Sequence, residues 1–182
     1  MVGDVTPRWA PVKARIGNNG HTIQVDCDPG STVIVDGFEY NLLQFHFHHP
    51  SEHTIDGRYF PMEVHFVHRN DFGLAVLGIM VIEGAPNPLI EMLWQQIPTH
   101  AGEKSEISTP ILPTALLPPS ATTYRYSGSL TTPPCSEIVS WIVYHRPVEL
   151  SPQQIARFAM LFANNARPVQ SLNRRKLLFD LF

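Results

Sequence analysis

Between residues 22 and 35, apolar and polar residues alternate in two short pieces separated by Asp28-Pro29-Gly30, the pattern of two strands joined by a turn. Asp36-Gly37 predicts another turn, with a strand over 40–48 after it. Asp56-Gly57 predicts a third turn, leading into a strand from about 59 to 68. Residues 74–82 form an unbroken apolar run suited to a buried central strand, and 140–144 read as a further strand. Two helices are marked by their caps. Asn87-Pro88 supplies an N-cap and a first-turn proline, with Leu89, Ile90, Leu93, Trp94 and Ile97 on one face until Pro98 ends it. Ser151-Pro152-Gln153-Gln154 supplies a cap, a proline and a capping box ahead of Ile155, Phe158, Ala159 and Phe162. The Pro-rich stretch 109–119 is expected to be a surface connection. The elements predict one mostly β domain over 1–182: a large, mainly antiparallel twisted sheet with a few short helices.

On the strand at 40–48, Gln44, His46 and His48 share one face while Phe45 and Phe47 take the other. Glu63 and His65 stand in the same way opposite Met62, Val64 and Phe66. An unbroken hairpin centred on Asp56-Gly57 would set His48 opposite His65, with His46 one step further along that face; a bulge would break this register. Three neutral imidazoles converging from two strands form a known catalytic zinc set, with the fourth tetrahedral position left for water. Gln44 and Glu63 share that face and can accept from the second ring nitrogens, fixing tautomer and ring angle. His49, His53, His68, His100 and His145 are read as structural, with no metal role. His46-x-His48-x3-Glu52 also fits the first metal motif of the cupins. The second cupin motif is absent downstream, and Glu52 follows Pro50, where the strand is expected to have ended.

Composition narrows the class. The 182 residues are 43% hydrophobic and 16% charged, which suits a folded core and not a disordered or coiled-coil chain. A net charge of −3 without a Lys/Arg run argues against a nucleic-acid or membrane-surface partner. The run at 74–82 falls far short of the roughly 20 residues a membrane helix needs. Six of the 9 His lie between 46 and 68, among Phe, Val and Ile, so the cluster belongs to folded structure and points to a metal. Two Cys allow one bridge at most. Residues 1–7 show no signal peptide, but a mature chain with its leader removed would look the same.

Gln44-Phe-His-Phe-His-His-Pro-Ser-Glu-His53 and Met62-Glu-Val-His-Phe-Val-His68 closely resemble the zinc signature of the α-class carbonic anhydrases. Asn18-Asn-Gly-His21, Gly128-Ser-Leu-Thr-Thr-Pro-Pro134 and Asn165-Ala-Arg-Pro168 match in order, and the spelling resembles bacterial members. The resemblance implies Zn2+ held by His46, His48 and His65, with Gln44 and Glu63 behind them. It implies that Thr131 lies beside the metal's solvent, with Glu52 behind it and Thr132 on the substrate side. Val67, Val76, Leu130, Val139 and Trp141 would form the apolar wall for carbon dioxide, which has neither charge nor dipole. His21 would be the proton shuttle, with Asn19 and Gln24 on the polar side. Free histidine titrates near 6.5, which suits that task. Zinc brings the pKa of its water to about 7, a value established on carbonic anhydrase itself. On residues alone, Thr131 reads as a turn residue, His21 as a solvated turn histidine, and the apolar set as core.

The family's N-terminal region, with its Trp-rich opening and Ser-Pro-Ile segment, has no counterpart here. By the resemblance it carries a Tyr that extends the Thr–solvent network and a Cys expected to pair with Cys135; Cys27 is the only other Cys. Its loss is expected to expose apolar surface, lower stability or favour homo-oligomers. The expected activity is a zinc lyase interconverting carbon dioxide and bicarbonate, periplasmic or extracellular as the bacterial likeness suggests. The alternative is a catalytically silent carbonic-anhydrase-like binding domain or fragment.

Overall fold

A computed structural model describes residues 4–180. Its strands are β1 (Val5–Arg8), β2 (Ala14–Asn18), β3 (Ile23–Cys27), β4 (Thr32–Val35), β5 (Phe38–His48), β6 (Met62–Arg69), β7 (Leu74–Glu83), β8 (Lys104–Glu106), β9 (Thr123–Gly128), β10 (Val139–Tyr144), β11 (Val148–Leu150) and β12 (Leu178–Phe179). Two α-helices, α1 (Pro88–Gln95) and α2 (Pro152–Ala159), and a 3-10 helix at Pro113–Leu116 complete the set among the described residues. The strands form one sheet in the order β12-β9-β10-β7-β6-β5-β3-β2-β8, with β4 joining β5, β1 joining β4 and β11 joining β7. Among the described residues, only the β10–β7 and β11–β7 pairings are parallel. The mostly β, mainly antiparallel expectation holds.

Both helices begin where their caps predict. The Asn87 side chain accepts from the backbone N–H groups of Leu89 and Ile90, and Ser151 with Gln154 forms the reciprocal capping box. Such caps contribute about 1 kcal/mol each. The helices cover the face of the sheet that carries Phe45, Phe47, Val64 and Phe66, all fully buried. Phe47 meets Trp94 of α1 at 4.8 Å and Phe158 of α2 at 5.9 Å between ring centroids. The Trp94 indole donates to the Gln154 carbonyl at 2.9 Å and so ties the two helices together. The stretch 109–119 departs from the surface expectation: Ile111 bridges Val12, and Ile111 and Leu116 are buried in the main core. The prolines do not prevent burial here, and a 3-10 helix at Pro113–Leu116 carries Leu116 inward.

The β5–β6 register corrects the predicted one. His46, not His48, lies opposite His65, and His48 lies opposite Glu63. Asp56 and Gly57 do form the tight turn, with φ of 52° and 72°, and Ile55 pairs with Arg58 across it. The arms between the Ile55–Arg58 pair and the His48–Glu63 pair are unequal, because 49–54 is two residues longer than 59–62. The extra residues fold back so that the backbone N–H groups of Glu52 and His53 donate to Glu63 Oε2 at 2.8 and 2.9 Å. A two-residue offset preserves the facing of every side chain, whereas an offset of one would reverse it. That reversal happens once, further along. A bulge between Leu42 and Gln44 leaves Leu43 exposed, puts Leu42 in the core, and turns Gln44, His46 and His48 to the other face.

Candidate metal centre

Residues paired across neighbouring strands share a face, so the registers define rows across the sheet. One row runs Asp26, Gln44, Val67, Val76, Trp141 and Tyr126. The next runs Gln24, His46, His65, Gly78, Val143 and Tyr124. A third holds His48, Glu63 and Met80. The face is therefore polar over β3 and β5, apolar over β7 and β10, and changes character along β6. A small second core is built from Val67, Val76, Met80, Val139, Trp141 and Val143, with Leu130 packed against it. Every residue predicted for the apolar wall lies in or against this cluster.

His46, His48 and His65 each offer a ring nitrogen, and these atoms lie within 4.8 Å of one another. Each ring's other nitrogen is engaged. Gln44 Oε1 accepts from His46 Nδ1 at 2.8 Å, and the Asn165 carbonyl accepts from His48 Nδ1 at 3.3 Å. Glu63 Oε1 accepts from His65 Nε2 at 2.8 Å. These bonds leave His46 Nε2, His48 Nε2 and His65 Nδ1 as the free lone pairs. His48 Nε2 is buried with no hydrogen-bond partner, a costly state for a polar atom that a metal ion would relieve. The donor set fits zinc: three neutral imidazoles, each oriented from behind.

Electrostatics hold two of the three rings neutral. Burial, with His48 and His65 alongside, holds the His46 imidazole well below its ordinary value. Burial, then His65, brings His48 down to about 4. Both rings are therefore neutral donors at neutral pH. His65 is also pushed down by burial, but the charge of Glu63, its hydrogen bond to that carboxylate and the charge of Glu52 together outweigh burial and raise it. Burial acts against Glu63 as an anion, yet His53 and His65 hold its carboxyl well below the carboxylate range. Gly78 makes this arrangement fit, since a Cβ there would stand 2.8 Å from Glu63 Oε1.

Glu52 is buried behind the triad. Its Oε1 accepts from the Arg167 backbone N–H at 2.7 Å and lies 3.4 Å from His48 Nδ1, while Oε2 has no hydrogen-bond partner. Thr131 and Glu52 line the same cavity, of about 340 Å³, together with Trp141, Tyr126 and Arg167. The three histidines are not in its wall, so the cavity adjoins the triad on the Glu52 side. Thr131 is half-buried and Thr132 exposed, on the loop that the Trp141 indole ties down through the Ser129 carbonyl at 3.1 Å. His21 is exposed on the β2–β3 turn, where the Asn19 side chain accepts from its backbone N–H at 2.9 Å. Asn19 also donates to Gln24, which pairs with His46.

Three contributors carry no role in the sequence analysis. Asn165 stitches the site together: its carbonyl takes His48, its Oδ1 accepts from His49 N, and its Nδ2 donates to the carbonyls of His21 and Phe47. The available signal was its own block, Asn165-Ala-Arg-Pro168. Arg167 acts through its backbone, which no side-chain motif can announce. His53, read as structural, donates from Nδ1 to Glu63 Oε1 at 2.6 Å. Cys27 and Cys135 are both free thiols, and burial raises that of Cys27 to about 12.

The family model for eukaryotic-type carbonic anhydrase matches residues 7–180. A carbonic anhydrase from Pectobacterium carotovorum is 50% identical over 167 residues, covering 90% of this chain and 68% of that one. Another from Nostoc sp. is 46% identical over 172 residues, covering 93% and 65% respectively. Among solved structures, the α-carbonic anhydrase of Thermovibrio ammonificans, in complex with the inhibitor sulfanilamide, superposes with a TM-score of 0.94 at 44% identity, covering 97% of this chain and 79% of that one. Dioscorin complexed with ascorbate gives a TM-score of 0.91 at 30% identity, covering 98% and 78%. With the match spanning both sequence and fold, the chain belongs to the eukaryotic-type, or α-class, carbonic anhydrase family and is an enzyme of that family.

Proposed function

We propose that the chain holds one zinc ion on His46, His48 and His65 and uses it for the reversible hydration of carbon dioxide to bicarbonate and a proton. The observation that carries this reading is the convergence of three free ring lone pairs, each backed by an acceptor on the ring's other nitrogen. When bound there, zinc supplies Lewis acidity and an activated water. The chain's own residues do the rest. Glu52 Oε2 is open to accept a hydrogen bond from the Thr131 hydroxyl, which lines the same cavity; with that bond made, the Thr131 oxygen would present only lone pairs toward the reacting oxygen and orient it toward carbon. Val67, Val76, Val139 and Trp141, with Leu130, offer carbon dioxide a surface without charge. Thr132, exposed next to Thr131 on the same loop, is assigned to the substrate side.

Purified chain should contain close to one zinc per molecule and catalyse carbon dioxide hydration, measured by metal analysis and stopped-flow pH change. The other reading, a binding domain without turnover, draws on the likeness to dioscorin, because a shared fold does not by itself carry an activity. Zinc without turnover would select it.

His21 completes the cycle by carrying the proton from the site to buffer. Its exposure and its place beside the Asn19–Gln24–His46 line support that task. His21→Ala should keep its zinc and most of kcat/KM, which reports the carbon dioxide step. Its kcat should fall on the order of 10-fold or more in weak buffer, and added imidazole should restore part of it. An unchanged kcat in weak buffer would remove His21 from the path.

A further inference from the structure

The hydrogen bonds around Glu63 continue past the metal centre. Glu63 is fully buried and takes four donors: Glu52 N and His53 N on Oε2, and His53 Nδ1 and His65 Nε2 on Oε1. With Nδ1 of His53 spent on Glu63, its Nε2 accepts from the Tyr126 hydroxyl at 2.6 Å. Burial, with Glu63 next, raises the Tyr126 phenol above its ordinary value, so it keeps its proton. Tyr126–His53–Glu63–His65 is thus one continuous chain from the wall of the cavity to a metal-site imidazole.

Packing fixes the chain in place. Both His53 and His65 set an edge against the Trp141 ring at 4.8 Å, and Tyr126 stacks on that ring with an interplanar angle of 8°. Gly128 permits the stack, because a Cβ there would lie 2.8 Å from both the Trp141 and Tyr126 rings. His53, Glu63 and His65 also lie close enough to be weighed as a second cation site. Their polar atoms, however, are already 2.6 and 2.8 Å apart with a proton in each gap, so they form a relay and leave no room for an ion.

We infer that His53 and Tyr126 are positioning residues for the metal centre: they hold Glu63, which orients His65, and thereby set how tightly the chain keeps zinc. The inference rests on the zinc reading above and assigns His53 a part that its sequence position does not announce. His68 makes the contrast. It is fully buried, more so than His53, but it bonds to Trp9, Phe66 and Ala75 on the opposite face and has no hydrogen-bonded route to the triad among the described residues.

The test measures the zinc dissociation constant of the full chain by chelator competition, and the ring N–H resonance of His65 in the metal-free chain by NMR. His53→Leu should weaken zinc roughly 10-fold, in the range found when groups behind metal ligands are lost. Tyr126→Phe removes one oxygen and keeps the ring; it should shift the His65 resonance and weaken zinc in the same direction by a smaller factor. His53→Gln, which retains an amide donor, should recover part of the His53→Leu loss. Ile155→Val, in the α2 core, controls for general loosening and should lower Tm without changing zinc affinity. If Tyr126→Phe and any folded His53 variant bind zinc as the parent does, with the His65 resonance unmoved, the relay is refuted. A parent chain that takes up no zinc would instead overturn the metal reading itself. A parent that binds zinc, with His48→Ala losing it and the relay variants keeping it, would overturn the relay alone.

Discussion

Replacing His48 with Ala is expected to abolish tight zinc binding and, with it, carbon dioxide hydration. His48 is buried, its Nε2 has no hydrogen-bond partner among the described residues, and its Nδ1 is held by the Asn165 carbonyl. The imidazole therefore stands ready as a neutral donor with its conformational cost already met. Removing it leaves two protein ligands. The loss of affinity should exceed the roughly 100-fold upper range seen when only a supporting group is lost. Metal analysis after dialysis against a weak chelator measures it directly. His68→Ala is the control: it sits on the other face against Trp9, so it should cost stability while zinc content stays near that of the parent. Equal zinc loss in both variants would disprove the assignment of the triad.

The second large effect separates orientation from binding. Thr131→Ala and Glu52→Gln should each lower turnover by about 100-fold, the scale of a misaligned reacting group, and leave zinc content nearly unchanged. Glu52 is placed for this by groups distant in sequence: the Arg167 backbone N–H holds Oε1 at 2.7 Å, and Oε2 is left to accept. An amide in its place would donate to the Thr131 oxygen and reverse the direction of the hydrogen bond. Stopped-flow hydration together with metal analysis of the same samples decides the matter. If either variant sheds zinc as completely as His48→Ala, it belongs to the metal's support and not to the substrate's orientation.

The Glu52 example shows where sequence patterns stop. The alternation Gln44-Phe-His-Phe-His48 was sufficient to place two imidazoles and an amide on one face and two phenyl rings on the other, because a strand's side-chain period is local. The pairing partner was not local. It depended on the 49–54 arm folding back onto Glu63, a buried carboxylate whose demand for donors outweighs the symmetry of the turn. β9, with Arg125 and two tyrosines breaking its apolar pattern, gave no clear signal as a strand. Arg125 is nonetheless buried, because Asp180 at 2.8 Å and Asp36 at 2.9 Å neutralise it from distant parts of the chain.

By itself the sequence determined the β-rich class, both helix starts, the facing of the three histidines, and Gln44 and Glu63 as groups behind them. Each of these follows from the period of a strand or from cap chemistry within a few residues. Only the tertiary structure decided that His46 and not His48 stands opposite His65, and that the Asn165 carbonyl holds His48. It also decided that His53 reaches Glu63 behind the site and that Tyr126 bonds to His53. Those outcomes depend on which distant backbone groups and side chains meet the polar atoms the sheet buries. A buried carboxylate or ring nitrogen takes the donor or acceptor that packing brings to it, and that partner has no fixed spacing along the chain.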